Sequence, residues 1–169
     1  MLVTLLKNQW PVSPDSEDHR RRSIYLFVRR NLRYPIFEAF DRPDTNASCP
    51  RRNESTIAPQ ALMLLNSETS LSAARHLAGI VITNVGGDQS QQVASCYLRT
   101  LGRLPTDAEK ELAQSFLKQD AQRLHSENRE ASTLALPIPL PQNTDEFQAA
   151  ALTDFCLTIF NLNEFIYID

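Results

Sequence analysis

The chain has 169 residues, of which 42% are hydrophobic and 22% are charged, a composition that suits one globular domain with its own core. Its net charge of −3 excludes a nucleic-acid-binding surface that extends over the whole chain. No apolar run approaches the roughly 20 residues of a membrane span, so the sequence predicts no transmembrane segment.

The charges are unevenly distributed along the chain. Residues 1–53 contain ten basic and six acidic residues, whereas residues 54–169 contain seven basic and fourteen acidic residues. The two parts could attract each other, or the basic part could present a positive patch to an anionic partner. The start of the chain carries a short apolar patch without the pattern of an export signal, so the chain as given is expected in the cytoplasm.

The first predicted helix begins near His19 or Arg20, after acidic residues that can cap it, and ends before Pro35. Its apolar stripe includes Ile24. A short second helical turn is predicted over residues 35–40, with the proline at its first position. Residues 41–57 then form a long ordered loop. We interpret residues 1–18 as an N-terminal extension left from a longer chain, and residues 19–169 as the helical domain.

Helical periodicity resumes after this loop. A short helix ending at Leu65 is apolar nearly all round, which predicts that it is central and buried. Two further helices are predicted over residues 68–83 and 90–101, with a turn at Gly86 and Gly87 between them.

Two more helices complete the prediction. One begins after Pro105, where Thr106 and Glu109 match the capping-box pattern, and the last begins near Thr144. Residues 126–143 lose periodicity and are predicted to form a flexible or polyproline-like loop, and the apolar tail is expected to dock. The fold class is therefore all-α, with about six helices in a single irregular helical domain.

Metal and cofactor motifs do not stand out in the sequence. The three histidines are isolated from one another, and no zinc-binding or covalent haem motif occurs, so we predict no metal and no cofactor in this chain. One disulfide is possible among Cys49, Cys96 and Cys156, although buried free thiols are favoured.

A polar block near the front of the chain holds the candidate site residues. Its arginines could bind an anion, since guanidinium groups recognise carboxylate, phosphate or sulfate in a bidentate manner. Pairing between these arginines and nearby acids, which would lock the long loop, is the favoured interpretation. Catalytic residues are left open: Asp41 and Asp44 could serve as general acid and base or hold a cation, although turns around Pro43 are favoured for them. The candidate anion-binding or loop-locking residues are Arg22, Arg29, Arg33, Asp41, Asp44, Arg51, Arg52 and Asn53.

The same block carries a resemblance to a known family. The segments are Arg29-Arg30-Asn31-Leu32-Arg33-Tyr34-Pro35, Phe40-Asp41-Arg42-Pro43-Asp44, Cys49-Pro50-Arg51-Arg52-Asn53 and Ala58-Pro59-Gln60-Ala61-Leu62, with Leu101-Gly102-Arg103-Leu104-Pro105 and Phe160-Asn161-Leu162-Asn163-Glu164 further on. Together they resemble the C-terminal domain of large planctomycete cytochrome-associated proteins. The likeness extends over about residues 10–169.

The resemblance implies a setting in the periplasm, the cell envelope or outside the cell. It also implies that haem belongs to a separate N-terminal domain of the longer relatives, and that the partner is their preceding domain or another protein. The leading hypothesis is a non-catalytic helical module that supports or regulates a redox or polymer-processing protein. The alternative is a domain that binds or processes a sulfated polysaccharide. Nucleic acid is not expected as a partner, and the oligomeric state is left open.

Overall fold

The structure is a computed structural model that describes residues 13–15, 22–25, 35–43, 58–127 and 129–167. These residues contain seven α-helices and no strand, which confirms the predicted all-α fold. The chain divides into two compact units, Met1–Thr56 and Ile57–Asp169. The predicted boundary between residues 18 and 19 lies outside the described residues and stays a prediction.

The described part of the first unit contains one short α-helix, α1, over Pro35–Ala39. Its first residue is the proline, as predicted. Most of the helix predicted before it, and most of the predicted long loop after it, lie outside the described residues. Within that predicted helix, Ser23–Tyr25 forms a 3₁₀ turn in which Ile24 is 81% exposed. The turn is closed by the Tyr25 N–H, which donates to the carbonyl of Arg22 at 3.0 Å. A single turn of this kind is too short to form the predicted apolar stripe, and none of its three residues is buried.

The second unit is built around four helices. Its elements are α2 (Ala58–Leu65), α3 (Glu68–Val85), α4 (Gln89–Leu101), α5 (Asp107–Ser126), α6 (Glu146–Ile159) and α7 (Asn163–Ile166). Helix α3 packs against α4, α4 against α5, α5 against α6 and α6 against α3, so these four form a closed bundle. The short helices α2 and α7 contact α3 and α4 respectively.

Local sequence signals set where the bundle helices begin. The side chains of Ser67, Asp88 and Asp145 each accept a hydrogen bond from a backbone N–H in the first turn of the following helix. The predicted capping box is confirmed, since Thr106 and Glu109 bond reciprocally. The predicted turn at residues 86 and 87 lies between α3 and α4 in the structure. The helix predicted to start at residue 105 starts at residue 107, two residues later.

The core lies where the four helices meet. Helix α6 is its centre and presents three consecutive buried alanines, Ala149, Ala150 and Ala151, which let the neighbouring helices approach closely. Leu152 and Ile159 fill the space around them and are each 1% exposed. The apolar stripes predicted for these helices are largely confirmed. The other fully or nearly buried apolar residues of the main core include Ala74, Ala78, Val81, Val93, Cys96, Tyr97, Ala113, Leu117, Phe155 and Cys156.

Helix α2 differs from its prediction. It was expected to be central and buried, but Leu62 is 58% exposed and Leu65 is 43% exposed. The buried residue of this helix is Gln60, at 3% exposed, and the hydroxyl of Tyr167 donates to its Oε1 at 2.5 Å. A long-range contact to a polar side chain therefore decides which face of this apolar helix turns inward. The same contact confirms that the tail docks as far as residue 167.

The connection before α6 is more ordered than predicted. Residues 134–141, which we call the strap, run along α3, and Leu134 and Pro137 within them are buried. The Ile138 N–H donates to the carbonyl of Arg75 at 2.9 Å, and the Arg75 Nε–H donates to the carbonyl of Leu136 at 2.6 Å. These paired bonds, together with apolar burial, fix a segment that its proline content alone suggested to be a flexible or polyproline-like loop.

Candidate functional site

The structure describes two of the eight candidate site residues. Arg22 is exposed, next to the 3₁₀ turn, and Asp41 is half-buried just after α1. The other six, Arg29, Arg33, Asp44, Arg51, Arg52 and Asn53, lie outside the described residues. Anion binding and loop locking by this set therefore both stay predictions.

Asp41 has a clear role in the backbone. Its φ of 53° lies in the left-handed region, and its N–H donates to the carbonyl of Glu38 at 3.4 Å. The Arg42 N–H donates to the carbonyl of Phe37 at 2.9 Å, and the guanidinium of Arg42 lies 5.3 Å from the centre of the Phe37 ring. This is the Schellman arrangement that ends many helices, with its usual side-chain contact across the cap. Pro43 follows, where it cannot continue the helix.

We expect Asp41→Val to be less stable than Asp41→Asn by about 1–2 kcal/mol, because a β-branched side chain is strained in the left-handed region whereas Asn tolerates it. Both variants remove the carboxylate, so their difference reports the backbone alone. Urea denaturation of the two variants measures it. Equal stabilities would show that the left-handed backbone conformation at residue 41 does not penalise a β-branched side chain.

Two carboxyl groups meet between α5 and α6. Asp120 is only 9% exposed, and its Oδ1 accepts from the guanidinium of Arg123 at 2.6 and 2.9 Å. Its other oxygen, Oδ2, is buried and has no hydrogen-bond partner among the described residues. Asp154 of α6 is the neighbouring acid, and its side chain is within hydrogen-bonding reach of Asp120. When it is protonated, Asp154 can donate a hydrogen bond to Asp120, whose ionised carboxylate can only accept.

Burial of Asp154, reinforced by the negative charge of Asp120, raises the pKa of Asp154 from its ordinary value of 3.8 to about 6. Arg123 and Arg129 act in the opposite direction but do not cancel these effects. Asp154 can therefore take up and release a proton close to neutral pH. Sequence reasoning missed this carboxyl pair because its members are on separate helices. The available signal was a lone acid, Asp154, inside the apolar run of α6.

A second charged cluster joins α5 to α7. Arg103 binds Glu109 in a bidentate manner at 2.7 and 2.9 Å and Glu164 likewise at 2.7 Å twice, and its guanidinium lies 5.5 Å from the centre of the Tyr97 ring. Hydrogen bonds from Arg103 and from the Thr106 backbone lower the pKa of Glu109 to about 2. Because both acids already saturate the guanidinium, this cluster fixes the start of α5 and does not offer Arg103 to a ligand.

The two described cysteines form a buried thiol pair. The Sγ atoms of Cys96 on α4 and Cys156 on α6 are 3.7 Å apart, and both residues are free and buried, which confirms the favoured interpretation for these two. The hydrogen bond with Cys96, together with burial, raises the pKa of the Cys156 thiol well above its ordinary value. Cys156 is therefore a protonated thiol of the core, not a nucleophile. Cys49 lies outside the described residues.

Two kinds of feature are absent from the described ranges, a metal-binding cluster and a membrane-spanning helix. No cluster of three or more His, Cys, Asp or Glu side chains there is arranged to hold a metal ion. No helix in the same ranges combines the length and the apolar character needed to cross a membrane.

Comparison with known proteins gives one family. The sequence pattern described as "PSD1: Protein of unknown function (DUF1553)" matches residues 4–117, which is more than half of the chain. The matched segment contains α1 to α4, all eight candidate site residues and the first half of α5. No curated protein matches the chain, and no solved structure matches it. The chain therefore belongs to the PSD1 family of proteins of unknown function (DUF1553).

Proposed function

We propose that this chain is a non-catalytic helical interaction module that packs through α2 against another protein domain. The observation that carries the proposal is the orientation of α2, whose leucines Leu62 and Leu65 point outward while its amide residue Gln60 is buried. Spaced three residues apart, the two leucines lie on one helical face and form a short apolar ridge. We call this ridge the α2 ridge.

Burial of the α2 ridge against a partner protein is energetically favourable. Burying a leucine side chain stabilises a complex by about 1.5–3 kcal/mol, and here two leucines are available at one place. Binding of an apolar helical face in an apolar groove of the partner is a common mode of protein recognition. The bond from Tyr167 to Gln60 holds α2 in this orientation without help from the leucines, so the ridge is prepared before binding.

The partner we propose is the domain that precedes this one in the longer planctomycete proteins that the sequence resembles, or a separate protein that replaces it. In that setting haem would reside on another domain, and the module would support or regulate a redox or polymer-processing protein of the cell envelope. The segments that carry the resemblance support this setting, and the family match covers most of them.

The test compares two equally simple surface changes. Leu62→Asp combined with Leu65→Asp is expected to weaken the native complex at least about 100-fold, since each leucine contributes on the order of 2 kcal/mol. The matched control is Leu112→Asp, because Leu112 is 73% exposed on α5. Each tagged variant is purified from the organism that carries the gene, and the bound protein is identified and quantified by mass spectrometry.

The two outcomes of this experiment can be told apart. Loss of one identified partner from the double variant, with retention in the Leu112 variant and unchanged helix content in both, supports the proposal. Equal recovery of the partner with both variants would show that docking does not use α2.

A further inference from the structure

A cavity of about 400 Å³ opens beside the bundle and has a distinctive lining. Carboxamide side chains surround it: Gln89 and Gln92 from α4, Gln142 and Asn143 from the loop after the strap, and Gln148 from the first turn of α6. We call it the amide pocket. Its residues come from α3 to α6 and the adjoining loops, so it is independent of the α2 ridge on which the proposed function depends.

The charge of the amide pocket restricts its ligand. Among the described residues that line it there is no lysine, arginine or histidine. The ionisable group is Asp145, whose Oδ1 caps α6 by accepting from the Gln148 N–H at 2.9 Å. An anionic ligand would meet a carboxylate with no lining cation to balance it, so the chemistry favours a neutral ligand.

The hydrogen-bonding groups restrict the ligand further. Each carboxamide offers two N–H donors beside a carbonyl acceptor, and a hydroxyl group both donates and accepts. Gln92 is 9% exposed, and its Nε2 donates to the carbonyl of Gly86 at 2.6 Å, which holds this side chain in place. Its Oε1 has no hydrogen-bond partner among the described residues, although the side chain lines the pocket. A carboxamide oxygen that is held in place in this way can accept a hydrogen bond from a hydroxyl group of a ligand.

The apolar part of the lining completes the match. Ile82, Leu117 and Pro141 contribute aliphatic surface without aromatic rings. A sugar ring presents C–H groups on its face and hydroxyls around its edge, which suits an aliphatic floor with amides around it. The volume lies in the usual range for small-ligand sites.

We propose that the amide pocket binds one unit of a neutral saccharide. Gln92 and Gln148 hydrogen-bond its hydroxyls from opposite sides, one from α4 and one from α6. A sulfated or carboxylated sugar is rejected because none of the described lining residues carries a positive charge to balance it. The pocket therefore differs in ligand charge from the anion site predicted for the arginines of the first unit.

The test is protein-observed NMR on the full chain, because side-chain NH₂ groups of Gln and Asn give their own resonances. The probes are neutral disaccharides (maltose, cellobiose, lactose), glucose 6-sulfate as the anionic counterpart, and triglycine as a peptide probe. We expect saturable shifts of side-chain amide resonances with at least one neutral disaccharide. Gln148→Ala should weaken binding about tenfold, the effect of one lost hydrogen-bonding group. Gln122→Ala, an exposed glutamine of α5, is the matched control and should bind like the parent.

Three results would overturn the proposal. The first is the lack of saturable shifts with every neutral disaccharide while the chain is folded. The second is stronger binding of glucose 6-sulfate or triglycine than of the neutral sugars. The third is equal weakening by the two glutamine variants, which would place the ligand elsewhere.

Discussion

Gly79→Ala is expected to destabilise the second unit by about 3 kcal/mol, the upper part of the usual range for overpacking a core. A Cβ atom at residue 79 would lie 2.3 Å from the carbonyl oxygen of Ile138, 2.4 Å from its carbon and 2.7 Å from the nitrogen of Pro139. All three are backbone atoms of the strap, so no side-chain rotation relieves the clash. The strap must move away from α3.

That movement breaks specific contacts. The Ile138 N–H loses the carbonyl of Arg75, the Arg75 side chain loses the carbonyl of Leu136, and the burial of Leu134 is weakened. In an open helix the same substitution would instead stabilise by about 0.5–1 kcal/mol, because alanine is the better helix former. The substitution should therefore lower the stability if the strap packs against α3 and raise it if the strap does not, so it tests this packing directly.

The control is Gly87→Ala. A Cβ atom at residue 87 meets nothing within 4 Å, and stability should change by no more than about 0.5 kcal/mol. Urea denaturation followed by far-UV circular dichroism gives both values, and hydrogen exchange at the Ile138 amide reports the strap directly. A Gly79→Ala protein as stable as the parent, with an equally protected amide, would show that the strap does not lie against α3.

The stability of the second unit is expected to be highest near pH 4–5, and to fall as the pH rises to 7. The folded pKa of Asp154 is raised to about 6 from 3.8, so the native state binds this proton more tightly than the unfolded state. Its stabilisation is fully present below 3.8 and is lost as the pH rises through 6. A pKa shift of this size corresponds to at most about 3 kcal/mol of folding free energy. Solvent screening at this half-buried site reduces the expected loss of stability on going to pH 7 to about 1–2 kcal/mol.

The acidic side of the maximum has a different origin. The pKa of Glu109 is lowered to about 2 from 4.5, chiefly by its hydrogen bonds with Arg103 and then Thr106. Hydrogen bonds from Arg129 and Arg123 lower the pKa of Glu127, and a hydrogen bond from Arg103 lowers that of Glu164. The stabilisation from these acids is present above their ordinary value and is lost as the pH falls below it.

Asp154→Asn separates the two effects. Its neutral amide imitates the protonated acid and can donate to Asp120, so the variant should be about 1–2 kcal/mol more stable than the parent at pH 7 and lose the slope between pH 4 and 7. Glu111→Gln removes an exposed carboxylate of α5 and should keep the parental slope. Denaturation midpoints across pH 3–8 measure both. An Asp154→Asn profile that still parallels the parent would show that the two carboxyls do not share a proton.

The parts of the fold that depend on neighbours in sequence are the parts that sequence predicted well. The capping box of Thr106 and Glu109 acts within three residues, and the stripes of α3 to α6 follow from helical spacing alone. Helix α2 was mispredicted because its composition is apolar, whereas its orientation is decided by the contact between Gln60 and Tyr167, 107 residues apart. No local pattern carries that information.

The same distinction applies to the candidate sites. The strap looked like a proline-rich linker, but its hydrogen bonds with Arg75, its buried residues and the close approach of its backbone to Gly79 dock it on α3. The carboxyl pair joins Asp120 and Asp154 from different helices, and the amide pocket draws on three separate segments. The polar block was identified by its density of charge, yet the described part of it shows Asp41 ending a helix.

The measurement that tests the interaction module most directly is the mass of the native particle that contains this chain, by size-exclusion chromatography with light scattering, together with its visible absorption spectrum. We predict a mass above the 19.1 kDa of the chain, made up by a further domain or one stoichiometric partner, and a haem band if that partner is the cytochrome-containing part. A particle of 19.1 kDa, or a whole multiple of it, with no other component would contradict the account.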